Sequence, residues 1–175
     1  MTAIESSSDP QGTPGEDPRG AVRELPTDAS GGPTDSSQKS ILFVCLGNIC
    51  RSPAAEALLA ALIVERSLES RIRVDSAGTS GYHLGEPADR RMRAAASRRG
   101  LKLTSRSRMV NRRDFSEFDL IIAMDRSNYR ELLALAGSRE HKVKLLSDFL
   151  DESWPRDVPD PYFGGQDGFD QVLDM

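Results

Sequence analysis

The stretch "VCLGNICRSP", residues 44–53, concentrates the reactive chemistry of this chain. It holds both cysteines, Cys45 and Cys50, and places Arg51 six positions after the first. A cysteine attacks as its thiolate, and its pKa falls from about 8.5 to roughly 3.5–7.5 beside a cation or a helix N-terminus. Arg51 supplies a permanently charged planar fork matched to phosphate oxygens. Between them, Leu46, Gly47, Asn48 and Ile49 form a loop. Gly47 permits a tight path, and Asn48 is of a type that tolerates positive φ. Such a loop, closing onto a helix begun by Ser52 and Pro53, aims several backbone N–H groups inward as a nest for an anion. The Ser52 hydroxyl could add a hydrogen bond to the sulfur, or could cap the helix. The pattern is not a nucleotide-binding Gly-x4-Gly-Lys loop, and four residues between the thiols exclude a redox Cys-x-x-Cys. A structural cysteine beside a capping serine would explain neither Arg51 nor the Gly47–Asn48 pair.

Dephosphorylation by a thiolate also needs an acid for the leaving oxygen. "VPDPYFGG" offers Asp160 between Pro159 and Pro161, with Tyr162 and Phe163 able to wall a slot for an aryl group. Asp-Pro alone would read as a turn.

These groups need a scaffold. "ILFV" is a short apolar run typical of a buried parallel strand. "PAAEALLAALIVERSL" follows with apolar residues at helical spacing. "IRVDSAG", "DLIIAMD" and "KVKLL" read as further strands; Pro87 and Asp89 open a helix that stops at Gly100, and "RSNYRELLALAG" is a helix closed by Gly137. Strands alternating with helices predict an α/β fold: a doubly wound four-stranded parallel sheet flanked by helices. Its crevice lies beyond the strand carboxyl ends, where strand order reverses, and the loop after the first strand is a prime candidate.

Residues 1–39 hold five of the ten prolines and no aromatic residue, a composition expected to remain a disordered tail ahead of one domain over 40–175. Seven acids and three bases in residues 1–40 account for the whole net charge of −4, leaving the remainder neutral. No apolar run approaches the ~20 residues of a membrane span, and the N-terminus lacks the apolar core of a signal peptide. Two cysteines give neither a disulfide framework nor a metal set. The expectation is a cytoplasmic protein without metal or cofactor, with secretion by a signal-independent route left open.

"VCLGNICRSP" with the distal "DPYF" closely resembles the low-molecular-weight protein tyrosine phosphatases, bacterial type. The similarity extends from about residue 40 to the end and includes "VDSAGTSGYHLGEPAD" and "FDLIIAMDRSNYREL". The resemblance implies metal-free hydrolysis of phosphotyrosine through a phosphocysteine. Carried over by position, Cys45 is the nucleophile, Arg51 the phosphate clamp, Asp160 the general acid and base, and Leu46–Ser52 the phosphate-binding loop. Ser52 would stabilise the thiolate and Asn48, with Ser76 as partner, the loop shape. Ile49, Tyr82, Tyr162 and Phe163 would form the substrate pocket. Partners implied are phosphotyrosine proteins, a tyrosine kinase among the candidates, with no nucleic acid, no membrane insertion, and a monomeric or weakly self-associating state.

Two departures stand out. Ser105 occupies the position where the family often has a histidine bonded to the loop asparagine. The final helix, begun by Asp167, Phe169, Val172 and Leu173, is short by family standards, and a helix so short is marginal alone. Residues 90–113 carry ten bases and no acid, readable as electrostatic steering of acidic partners or as a solvated face. Alternatives on the same fold are a phosphoarginine phosphatase, an arsenate reductase and a non-catalytic phosphate-binding module. Bulky Ile49 favours phosphotyrosine over phosphoarginine, the lack of further cysteines disfavours arsenate reduction, and Arg51 with Asp160 disfavours the silent module. Cys50 reads as a partner that captures oxidised Cys45 as a reversible disulfide, or as small packing beneath the loop.

Overall fold

The computed structural model describes residues 38–175. The tail expected for residues 1–39 therefore lies outside the described residues, apart from Gln38 and Lys39, and Lys39 already belongs to the first strand. In order, the elements are β1 (Lys39–Cys45), α1 (Arg51–Glu65), β2 (Ile72–Gly78), α2 (Arg90–Arg98), the single turn α3 (Asp114–Glu117), β3 (Leu120–Ala123), α4 (Arg126–Ala136), β4 (Val143–Leu145) and α5 (Gln166–Asp174). The four strands are all parallel, in the order β2-β1-β3-β4. The chain thus leaves β1 in one direction and returns past it to β3. The reversal falls between the carboxyl ends of β1 and β3, where this fold opens a crevice.

Strand alternation divides the core between the two sheet faces. Phe43, Cys45, Ile122 and Met124 face α1, α2 and α5, meeting Ala54, Met92, Ala95, Phe169, Val172 and Leu173. Leu42, Val44, Ile121 and Ala123 face the other layer, meeting Phe115, Phe118, Leu132 and Ala136. Both β1 faces are buried, which is why its sequence is a continuous apolar run.

Local rules explain most helix ends. Asp89 caps α2 by accepting from the Arg91 N–H, and Gly100, at φ 76°, lets the chain turn away after it. Asp125 caps α4 through the Asn128 N–H, and Gly137 closes it at φ 57°. The start of α1 corrects the sequence reading. Cys50 is the N-cap, no side chain caps the helix, and Ser52 lies within it. Its hydroxyl serves the loop instead. The nine-residue α5 is held by tertiary contacts rather than by its own propensity. Phe169, Val172 and Leu173 are buried, each contributing about 1.5–3 kcal/mol. Arg98 and Arg99 tie its outer face through Asp170 and Asp174.

Candidate active site

The turn from β1 into α1 wraps Leu46–Cys50 around the end of the central strand. Asn48 takes the left-handed conformation, φ 54°, which its residue type tolerates. The backbone N–H groups of Gly47, Asn48, Ile49 and Cys50 donate to no acceptor among the described residues. Gly47, Ile49 and Cys50 border the same pocket as Cys45 and Arg51, so a bound anion has donors waiting on the loop.

A buried polar network holds this loop. Asn48 Nδ2 donates to Ser52 Oγ (2.9 Å) and Ser76 Oγ (2.8 Å), while its Oδ1 accepts from the Arg108 N–H (2.9 Å). Ser52 Oγ lies 3.1 Å from Cys45 Sγ and also 3.1 Å from the Ala77 carbonyl oxygen. Its one proton can therefore serve either the sulfur or the backbone. Ser107 Oγ donates to the Gly47 carbonyl. Ser76 Oγ in turn donates to Glu56 Oε2 (2.5 Å). Burial raises the Glu56 pKa above its ordinary value, against the hydrogen bonds from Ser76 and Ser105. Both polar atoms of the Asn48 amide are satisfied by Ser52, Ser76 and the Arg108 N–H, without Ser105.

Two glycines matter for close approach. At Gly47, a Cβ would sit 3.0 Å from the His83 ring. At Gly78, a Cβ would lie 2.6 Å from the Leu46 carbonyl oxygen and 3.0 Å from the Asn48 nitrogen. The end of β2 is the floor on which the loop rests.

Arg51 is 3 % exposed, and two carboxylates and a backbone carbonyl hold its guanidinium. Nη1 pairs with Asp125 Oδ2 at 2.6 Å and donates to the Val158 carbonyl at 3.1 Å; Nη2 pairs with Asp160 Oδ2 at 2.9 Å. Burial alone would favour discharging the guanidinium, but Cys45, Asp160 and Asp125 together hold its pKa above the ordinary value. Cys50 is also buried and unbridged, and burial, reinforced by Asp89 and Cys45, pushes its thiol pKa up.

The pocket above Cys45 has a volume of about 220 Å³. Tyr82, Tyr162 and Phe163 rim it, with Ile49 and His83 on its walls and Asp160 at its mouth. Tyr162 and Phe163 meet edge to face at 5.1 Å between ring centroids. The Asp160 side chain is 37 % exposed, and its Oδ1 accepts from the Tyr162 N–H, so the residue makes its local turn as well as reaching Arg51. The catalytic, loop and pocket residues expected from the sequence either line this pocket or, like Asn48, Ser52 and Ser76, sit directly behind its loop.

The sequence reading missed Asp125, Gly78, His83, Ser107 and Arg108. Asp125 carried a signal, since a carboxylate at the end of a central strand and the start of a helix stands at the crevice by topology. The others are brought to the loop only by folding.

Residues 40–175 match the family pattern described as low molecular weight phosphotyrosine protein phosphatase. A Synechocystis chain bearing the low molecular weight protein-tyrosine-phosphatase name is 52% identical over 137 residues, covering 77% of this chain and 87% of that one. The crystal structure of a protein tyrosine phosphatase from Entamoeba histolytica superposes with a TM-score of 0.76 at 46% identity, covering 78% of this chain and 88% of that one. The Drosophila arginine phosphatase structure gives a TM-score of 0.71 at 38% identity, covering 77% and 90%. With this fold and a family match over the whole described domain, the chain belongs to the low molecular weight phosphotyrosine protein phosphatases.

Proposed function

We propose that residues 40–175 form a phosphatase domain that hydrolyses phosphotyrosine in proteins through a phosphocysteine on Cys45. The observation that carries this reading is the convergence of Cys45, the unengaged loop N–H groups, Arg51 and Asp160 on one aromatic-rimmed pocket. In the free protein, carboxylates hold Arg51. A phosphate dianion offers the guanidinium acceptor oxygens of its own, and by taking over Nη2 it releases Asp160 toward the leaving oxygen.

Cys45 sulfur attacks phosphorus in line as the P–O bond to the phenol breaks. Asp160, protonated in the substrate complex, transfers its proton to that phenol oxygen. The Ser52 hydroxyl proton turns from the Ala77 carbonyl to the sulfur while Cys45 is charged. In the second step Asp160, now ionised, takes a proton from water, whose oxygen attacks the phosphocysteine and expels the thiolate. Loop N–H groups and Arg51 stabilise the charge on the transferring phosphoryl oxygens. Tyrosine kinases are candidate substrates among phosphotyrosine proteins.

The test is release of p-nitrophenol from p-nitrophenyl phosphate in the presence of EDTA. Cys45→Ser is expected to lose at least about 10³-fold in kcat, and Asp160→Ala about 10²–10⁴-fold. Near-wild-type turnover by Cys45→Ser would sink the mechanism. The likeness to the Drosophila arginine phosphatase keeps phosphoarginine as the second reading. Ile49, 7 % exposed on the pocket wall, and the aromatic rim support the aryl ester. A kcat/KM for phosphoarginine peptides above that for phosphotyrosine peptides would reverse the order.

A further inference from the structure

The ten bases of residues 90–113 separate into two groups once folded. Arg91 pairs with Asp89, Arg98 and Arg99 with Asp170 and Asp174, and Arg108 with Asp75 and Asp114. Those charges are neutralised within the fold. The other six have no carboxylate partner among the described residues; Arg106, Arg112 and Arg113 lie elsewhere, and Arg90, Arg93 and Lys102 line one cleft of about 430 Å³.

Helix geometry explains the gathering. Met92, Ala95 and Ala96 face the core, which leaves Arg90, Arg93, Ala94 and Ser97 in a stripe on the outer face of α2. The chain then reverses at Gly100 and returns along that stripe, bringing Lys102 and Thr104 to its far side. The stripe from Arg90 to Ser97 runs for roughly 10 Å at 1.5 Å per residue, about three residues of extended peptide. Its near end adjoins the active site. The Asp89 N–H donates to the Ile49 carbonyl, and Arg91 donates to the Tyr162 carbonyl and covers its ring. No aromatic side chain lines the cleft, so it lacks the stacking platform that single-stranded nucleic acid uses.

We propose that this cleft is a substrate-docking site for a run of acidic residues flanking the phosphotyrosine of the protein substrate. The proposal rests on the phosphatase reading above. It adds which substrates are preferred: those whose Asp or Glu side chains meet Arg90, Arg93 and Lys102 while the phosphotyrosine occupies the pocket over Cys45.

The experiment compares kcat/KM at low salt for p-nitrophenyl phosphate, a phosphotyrosine peptide with neutral flanks, and the same peptide with four glutamates on one side or the other. Acidic peptide is expected to exceed neutral by about tenfold, as three exposed ion pairs would supply. The triple variant Arg90→Gln, Arg93→Gln, Lys102→Gln should lose that preference and keep p-nitrophenyl phosphate turnover within about twofold. A second triple, Arg106→Gln, Arg112→Gln, Arg113→Gln, removes the same net charge elsewhere and should retain most of the preference. Equal loss in both triples would overturn the cleft in favour of a diffuse field, and no preference in the wild type would overturn it outright. If the wild type fails on p-nitrophenyl phosphate, the phosphatase reading falls. The cleft is then judged by fluorescence anisotropy with the unphosphorylated acidic peptide, where binding lost only in the first triple sustains it. Tighter binding of single-stranded DNA than of that peptide would overturn it.

Discussion

Gly78→Ala should disable the site without touching any reacting group. Gly78 is the last residue of β2, paired in register with Cys45. Its φ is not in the left-handed region, so alanine meets no backbone penalty there. The obstacle is space. The new methyl would stand 2.6 Å from the Leu46 carbonyl oxygen, and ordinary contact begins near 3.4 Å, so something must move by about 0.8 Å. Gly78 cannot retreat, because its N–H donates to the Arg108 carbonyl and its carbonyl accepts from the Val110 N–H, both at 2.8 Å. The loop must yield. The first bond strained is the one from the Ser80 N–H to that same Leu46 oxygen, now 2.9 Å. Overpacking of this kind costs about 1–3 kcal/mol of stability, and a misplacement of roughly 1 Å costs on the order of 10²-fold in rate. We expect kcat/KM for p-nitrophenyl phosphate to fall about 10–100-fold, with weaker inhibition by inorganic phosphate. Gly100→Ala is the contrast. Its Cβ would meet nothing within 4 Å, but φ is 76°, so stability should drop by about 1 kcal/mol with kcat intact. A Gly78→Ala enzyme within threefold of wild type would refute the view that the loop rests on this floor.

Asn48→Ala leaves the Ser76 and Ser52 hydroxyls and the Arg108 N–H without their partner, and should cost at least about 1–3 kcal/mol in urea unfolding together with a fall in kcat; unchanged stability would contradict the network. Asp125→Asn keeps a cap for α4 but removes the closer carboxylate from buried Arg51, so melting temperature should fall and phosphate inhibition weaken, by up to about 3–5 kcal/mol in the former measured as unfolding free energy. Iodoacetamide at pH 7 should leave Cys50 unmodified in the native protein and alkylate it in urea, as peptide mass spectrometry would show, because burial disfavours its thiolate; rapid native labelling of Cys50 would refute this. Glu56 has a folded-state pKa raised by burial, so between its ordinary value of 4.5 and that raised value the native state binds more protons than the unfolded one. Stability contributed by this group therefore falls as pH rises through that window. Glu56→Gln should flatten this part of the stability profile measured by calorimetry; an unaltered slope would count against it.

Much of the fold was legible locally. The apolar runs of β1 and β3 identify strands buried on both faces, and Asp89, Gly100 and Gly137 punctuate helices by capping and backbone rules that act over a few residues. Ser52 shows where local reading fails. A serine before a proline at a helix start reads as a cap, yet its hydroxyl is drawn inside the helix boundary to Cys45, Asn48 and Ala77, partners fixed by the loop and by β2. The short α5 likewise forms because α1 and α2 present a core for Phe169 and Val172.

The sequence by itself determined the loop that gathers the thiol, the glycine, the asparagine and the arginine, since these are neighbours along the chain and their spacing, set between a buried strand and a Ser-Pro helix start, points to an anion cradle. Only tertiary structure decided what restrains that loop and what answers its charge. Asp125 and Asp160 reach Arg51 from 74 and 109 residues away, and Gly78 and Arg108 come under the loop from β2 and beyond. The physical reason is that a buried charge or polar group must find its partner in space, and the parallel sheet, by gathering strand ends at one edge, chooses partners that sequence separation conceals.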